Sequence, residues 1–194
     1  MKKLFLSLLI MLGFLLNVKA QQTLNELKHT YKAALDDWKV PGMAVAIIKN
    51  DSLVLSEGFG IRNVDSQEKV TDETLFAIAS NTKAFTAAGL GILVDEGKLS
   101  WDDKVTKHLP GFRMYTPYVT HEMTVRDLLC HRSGLKTFSG DLLWFGSEYS
   151  RREIVERARH LEPAYGFREQ FGYSNIMYLA AGLVIEERSE ERRV

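Results

Sequence analysis

The sequence has one cysteine and four prolines in 194 residues, no excess of either charge, and no apolar run as long as a membrane span. A lone Cys130 forms no intrachain disulfide and excludes zinc sites built from several thiolates. Packing must therefore hold the fold together. With 25 Lys+Arg against 25 Asp+Glu there is no strong positive field to recruit nucleic acid. Few prolines, 14 glycines and no internal repeat exclude a collagen-like fibre, a solenoid and a disordered tract. What is present is 45% hydrophobic and 10% aromatic, enough for one sizeable domain or two small ones.

The first twenty residues have a composition of their own. Lys2 and Lys3 precede an apolar run from Leu4 to Leu16, and Val18-Lys19-Ala20 places small residues where a signal peptidase reads. A bilayer needs about 20 apolar residues, so residues 1–20 read as an export signal and not as an anchor. The expected mature start is Gln21, in the periplasm or outside the cell. Removing Lys2, Lys3 and Lys19 leaves 22 basic against 25 acidic groups. A mildly acidic exported chain has neither nucleic acid nor an anionic membrane surface as an obvious partner.

Beyond the signal the pattern predicts a helix, two strands and then mostly helices. Leu24, Leu27, Tyr31, Leu35 and Trp38 recur at helical steps behind a Thr23/Glu26 capping-box spacing, and Pro41-Gly42 stops the helix. Met43 to Lys49 and Leu53 to Phe59, joined by Asn50-Asp51-Ser52, predict a β-hairpin. A buried helix is expected to open near Ser80 and run to Gly97, with others at Thr124–Cys130, at Arg151–Leu161 behind a Ser150/Glu153 capping box, and from Ser174 onward. The expected organisation is residues 21–79 as an N-terminal helix and hairpin, and residues 80–194 as a helical part.

Three familiar motifs fail on inspection. Gly91 to Gly97-Lys98 has the wrong glycine spacing for a phosphate loop, and Leu99 replaces the hydroxyl that would hold magnesium. His121-Glu122 lacks the second histidine of a zinc protease, since Val125 stands in its place. No Gly-x-Ser-x-Gly occurs, so the nucleophile elbow of the α/β-hydrolases is missing.

Ser-x-x-Lys does occur, at Ser66/Lys69, Ser80/Lys83 and Ser133/Lys136. Ser66 lies in a polar turn, and Gly134 after Ser133 makes a poor helix start. Ser80 instead follows Phe76-Ala77-Ile78-Ala79 and opens the apolar run Ala84 to Ala88, whose composition predicts burial nearly all round. Residues three apart share a helical face. The Lys83 amine can thus approach the Ser80 hydroxyl and accept its proton, while the helix N-terminus favours negative charge on that oxygen. The plainer reading is a helix start with a lysine reaching back to solvent.

Of the seven tyrosines, only Tyr173 has Asn two residues on, in Tyr173-Ser174-Asn175. Phe76 to Lys83, then Leu128-Leu129-Cys130-His131-Arg132-Ser133-Gly134-Leu135, then Phe171-Gly172-Tyr173-Ser174-Asn175, resemble in that order the serine β-lactamase and penicillin-binding-protein superfamily. The nearest likeness is to its class C-like branch of β-lactamases, D-stereospecific peptidases and esterases. The matching blocks run from Pro41-Gly42 to about Glu186.

The resemblance implies an α+β, β-lactamase/transpeptidase-like fold, an antiparallel sheet flanked by helices plus a helical subdomain. It implies that Ser80 is the nucleophile of an acyl-enzyme and lends its own N–H to the oxyanion hole. Lys83 would share or relay the proton, and Tyr173 would act as base and then as acid towards the leaving group. Asn175 would hydrogen-bond Lys83 and the substrate's amide carbonyl. His131 and Ser133-Gly134 match a block read as structural. A catalytic His131–Ser133 pair is the weaker alternative, because neighbours on one loop seldom face each other. No cofactor and no metal are implied, and the partner is a small-molecule or peptide substrate.

The family's third motif, Lys-Ser/Thr-Gly or His-x-Gly on a strand lining the site, does not occur in this sequence. Only the first two sheet strands are therefore expected here, without the family's C-terminal strands and helix. Two functions stand side by side: a serine hydrolase acting on β-lactams, D-alanyl peptides or simple esters, and a non-catalytic form that binds peptidoglycan-like ligands or a partner.

Overall fold

A computed structural model describes residues 23–189. The export signal expected at residues 1–20 lies outside the described residues. Two compact units divide the chain between Ala77 and Ile78.

The first unit is a helix and a hairpin. Helix α1 covers residues 23–38. Its Leu24, Leu27, Tyr31 and Leu35 are half-buried, whereas Trp38 is 81% exposed at the end of the stripe. Tyr31 meets Phe59 of the hairpin with ring centroids 5.7 Å apart, and Lys28 pairs with Glu57. Strands β1 (Gly42–Lys49) and β2 (Ser52–Gly60) are antiparallel, in a register from Gly42↔Gly60 to Lys49↔Ser52 with one irregularity at Ile47/Ile48. Asn50 and Asp51 turn the hairpin with φ of 49° and 57°. Both values lie in the left-handed region that Asn and Asp tolerate, as a tight hairpin turn of this hand requires.

The second unit is helical. It holds α2 (Thr82–Asp95), α3 (Val105–His108), α4 (Pro117–Glu122), α5 (Val125–Leu129), α6 (Arg151–Arg157) and α7 (Asn175–Ser189). Helix α7 is the organising element: it packs against α2, α5 and α6 and buries Ile176, Met177, Ala180, Ala181, Leu183 and Val184. Leu90, Leu93, Phe112, Met123, Leu128 and Leu135 complete this core. The expected Ser150/Glu153 capping box is present, and a second one joins Thr124 to Asp127. Among the described residues no helix is long and apolar enough to cross a membrane.

Four expectations need correction. Helix α2 begins at Thr82, with Ser80 in a 3₁₀ turn, Ala79–Asn81, just before it. Nor is α2 buried all round: Leu90 and Leu93 face the core, while Phe85 and Ile92 are 66% and 59% exposed, because only one of its faces meets α7. The helix expected at Arg151–Leu161 narrows after Arg157 into a 3₁₀ turn, Ala158–His160, on the approach to Pro163. Helices α3 and α4 fall where none was expected, although Thr116, which accepts from the Val119 N–H, and Pro117 behind it form a recognisable helix start. His121 is exposed and Glu122 pairs with Lys104 at 2.8 Å, so that pair belongs to the surface.

Candidate active site

The site forms where the turn before α2 meets the loop before α7. Ala79, a non-glycine residue with φ of 45°, turns the chain so that Ser80 stands exposed at the helix entrance. A left-handed conformation at such a residue costs about 1–3 kcal/mol and persists only where surrounding structure imposes it. Lys83, one turn on, donates to Ser80 Oγ at 3.2 Å and to Asn175 Oδ1 at 2.7 Å. Its Nζ lies 4.8 Å from the Tyr173 ring centroid and 5.4 Å from that of Tyr178. Lys83 is half-buried, with its charge answered by an amide oxygen and two aromatic faces.

Tyr173 arrives from the opposite side. Its hydroxyl donates to Ser80 Oγ at 2.7 Å. The backbone is held on both sides: the Tyr173 N–H donates to Thr137 Oγ1 at 3.1 Å, and its carbonyl accepts the Phe138 N–H at 2.8 Å. Gly172 permits this close approach, since a Cβ there would lie 1.9 Å from the Leu135 carbonyl oxygen. The Lys83 and Ser80 hydrogen bonds hold the Tyr173 phenol below its ordinary value of 10.0.

His131 supports this arrangement from beneath. Its ring lies 4.4 Å from that of Tyr173, and its Nδ1 accepts the Ser174 N–H at 3.1 Å. Burial and then the Lys83 charge push His131 below its ordinary 6.5, which keeps Nδ1 free to accept. Ser133 is buried and accepts the Leu135 N–H at 3.4 Å. His131 and Ser133 thus turn to different partners, and they do not form a catalytic pair. Arg168 braces the same loops through a two-point contact with Asp127, at 2.9 and 2.6 Å, and a contact with the Arg132 carbonyl.

Ser80, Lys83, Tyr173 and Asn175, named from sequence, thus come together. Ala79, Ser80, Lys83 and Asn175, together with Trp144, Arg151, Ile154 and Leu179, line a cleft of about 420 Å³. Asp141 was not foreseen: its Oδ2 accepts from Asn175 Nδ2 at 2.9 Å. It sits in no motif, and Gly140 before it was the one local signal of a tight turn.

Chemically, a hydroxyl oxygen here faces a phenol and an ammonium at hydrogen-bonding distance. This arrangement can remove a proton from Ser80 and return it to a leaving group. Together, fold and constellation define the β-lactamase/transpeptidase-like class of serine hydrolases. The chain belongs to the beta-lactamase family, whose model matches residues 27–194.

Relatives place it further. The chain is 35% identical over 164 residues to an unguisins hydrolase, ungD', of Aspergillus campestris, covering 80% of this chain and 30% of that protein. Its structure is similar to that of an octameric penicillin-binding protein homologue from Pyrococcus abyssi, with a TM-score of 0.73, 31% identity and coverage of 86% and 39%. It is also similar to the D-amino acid amidase of Ochrobactrum anthropi, with a TM-score of 0.68, 29% identity and coverage of 84% and 45%. The chain therefore spans about a third of the curated relative's length and under half of these solved structures.

Proposed function

We propose that Ser80 is the nucleophile of an acyl-transfer reaction on an amide or ester carbonyl, with Tyr173 as its proton acceptor. The observation that carries this reading is the convergence of Lys83 Nζ and Tyr173 Oη on Ser80 Oγ, at 3.2 and 2.7 Å. Lys83 donates to both Ser80 and Asn175, and its presence favours the ionised phenol, so Tyr173 fits the role of base better than Lys83 does. In the step proposed, the Ser80 proton passes to Tyr173 as Oγ bonds to the carbonyl carbon. The tetrahedral intermediate then collapses, the bond to the leaving nitrogen or oxygen breaks, and that atom takes the proton from Tyr173. Water later cleaves the Ser80 ester. Asn175 holds Lys83 and offers its amide to the substrate carbonyl.

The substrate is a β-lactam, a D-alanyl peptide or a simple ester, encountered in the periplasm or outside the cell after removal of residues 1–20. Known relatives that include a hydrolase and a D-amino acid amidase support the carbonyl chemistry. The test offers the purified chain a fluorescent penicillin, an activated ester and a D-alanyl-D-alanine peptide in parallel, and follows label retention and leaving-group release. Reaction with one of the three assigns the class. Binding of all three without any covalent product favours the non-catalytic alternative.

A further inference from the structure

The Asn175 side chain must present its oxygen, and not its nitrogen, to Lys83. An amide is nearly symmetric in shape, and the reversed orientation would set an NH₂ donor against an ammonium that can only donate. Its neighbour on the far side can decide between the two. Asp141 Oδ2 accepts from Asn175 Nδ2 at 2.9 Å, and an ionised carboxylate can hold only the NH₂ end. The amide is thereby fixed from both ends, in the order Asp141, Asn175, Lys83, Ser80.

The placement of Asp141 follows from the backbone. Gly140 has φ of 79°, a conformation that favours glycine, and its turn closes onto Ile176 at the start of α7, whose Cδ1 lies 2.4 Å from where a Cβ would stand. The Asp141 N–H bonds the Phe138 carbonyl at 3.2 Å, and the Phe138 N–H bonds Tyr173. The turn carrying Asp141 is thus tied to the strand of loop that carries Tyr173. Among the described residues, the other carboxylate oxygen, Oδ1, is buried and has no partner, which leaves Asn175 as the group this side chain holds.

The geometry points to Asp141 as a positioning residue, whose carboxylate sets the Asn175 amide so that Oδ1 faces Lys83 Nζ. Its effect on chemistry rests on the acyl-transfer reading, but its effect on the amide does not.

Both can be read in the ¹⁵N-labelled chain, with the Asn175 NH₂ signals assigned by their loss in Asn175→Ala. In Asp141→Ala, exchange of those NH₂ protons with water rises about tenfold or more while the backbone spectrum is retained. Acylation of Ser80 by an activated ester falls about 10- to 100-fold, and in the Asn175→Ala background the same change has no further effect. Should Asp141→Ala fail to fold, Asp141→Leu, close to Asp in shape but without an acceptor, is read in the same two ways. Unchanged Asn175 exchange overturns the proposal, as does an equal loss of acylation in both backgrounds. If the unmodified chain takes up no acyl group at all, the acyl-transfer reading fails, and the exchange measurement still decides the role of Asp141.

Discussion

The Tyr173 hydroxyl lies 2.7 Å from Ser80 Oγ across 93 residues of chain. The contact depends on little else of the tyrosine, because the ring is held by His131 at 4.4 Å and Phe138 at 5.5 Å. Tyr173→Phe therefore keeps the ring and removes one oxygen. Acylation of Ser80 should slow by about 10²- to 10⁴-fold with little change in melting temperature. Stopped-flow acylation beside a thermal melt checks this, and an unchanged rate removes Tyr173 from the mechanism.

A pH profile separates the two candidate bases. The phenol is held below 10.0 by the Lys83 and Ser80 hydrogen bonds, and the base is competent when ionised. The acylation rate should thus rise with pH through a midpoint below 10. Lys83→Met removes the cation, so the midpoint should move upward as well as the rate falling. A midpoint that stays in place in this variant would assign the titration to another group.

Much of this was legible in the sequence, and the reason differs from element to element. Ser80 and Lys83 form a short motif with fixed spacing, and a Ser-x-x-Lys at a helix entrance brings its two ends together without help from distant chain, whereas Tyr173 and Asn175 were marked by the family resemblance. The Ser150/Glu153 cap is equally local. Asp141 was not legible, because its partner is 34 residues away and only tertiary packing brings the two together. The burial of α2 departs from its composition for a related reason. Composition reports how apolar a helix is, but which faces find neighbours depends on α7.

His131 should stay neutral to a lower pH than a free imidazole does. Its Nδ1 accepts the Ser174 N–H, and burial and then the Lys83 charge disfavour the imidazolium. The unfolded chain binds that proton more readily, so stability should fall as pH drops below about 6.5 towards the folded value. Imidazole NMR shifts and denaturant melts at pH 5 and 7.5 read this directly. Titration at or above 6.5 would contradict the assigned hydrogen bond.

Arg168 and Asp127 should act as the brace of the Tyr173 loop. Burial alone would raise the Asp127 carboxyl, but the Arg168 and Thr124 hydrogen bonds outweigh it and hold it below the usual carboxylate range. The stability this provides is complete above the ordinary carboxylate value and is lost as pH falls through the lowered one. Arg168→Ala should cost about 1.5–3 kcal/mol at neutral pH and flatten the acid limb of the stability curve. Chemical denaturation across pH 2–7 measures both, and an acid limb as steep as that of the parent chain would show that Asp127 draws its stability elsewhere.

In the proposed reaction Ser80 becomes covalently acylated. Peptide mapping by mass spectrometry after reaction with an activated ester or a fluorescent penicillin tests it most directly. One acyl group is expected, located on Ser80 and absent in Ser80→Ala, with Ser66 and Ser133 unlabelled. An adduct on either of those serines, or none at saturating probe, would contradict it.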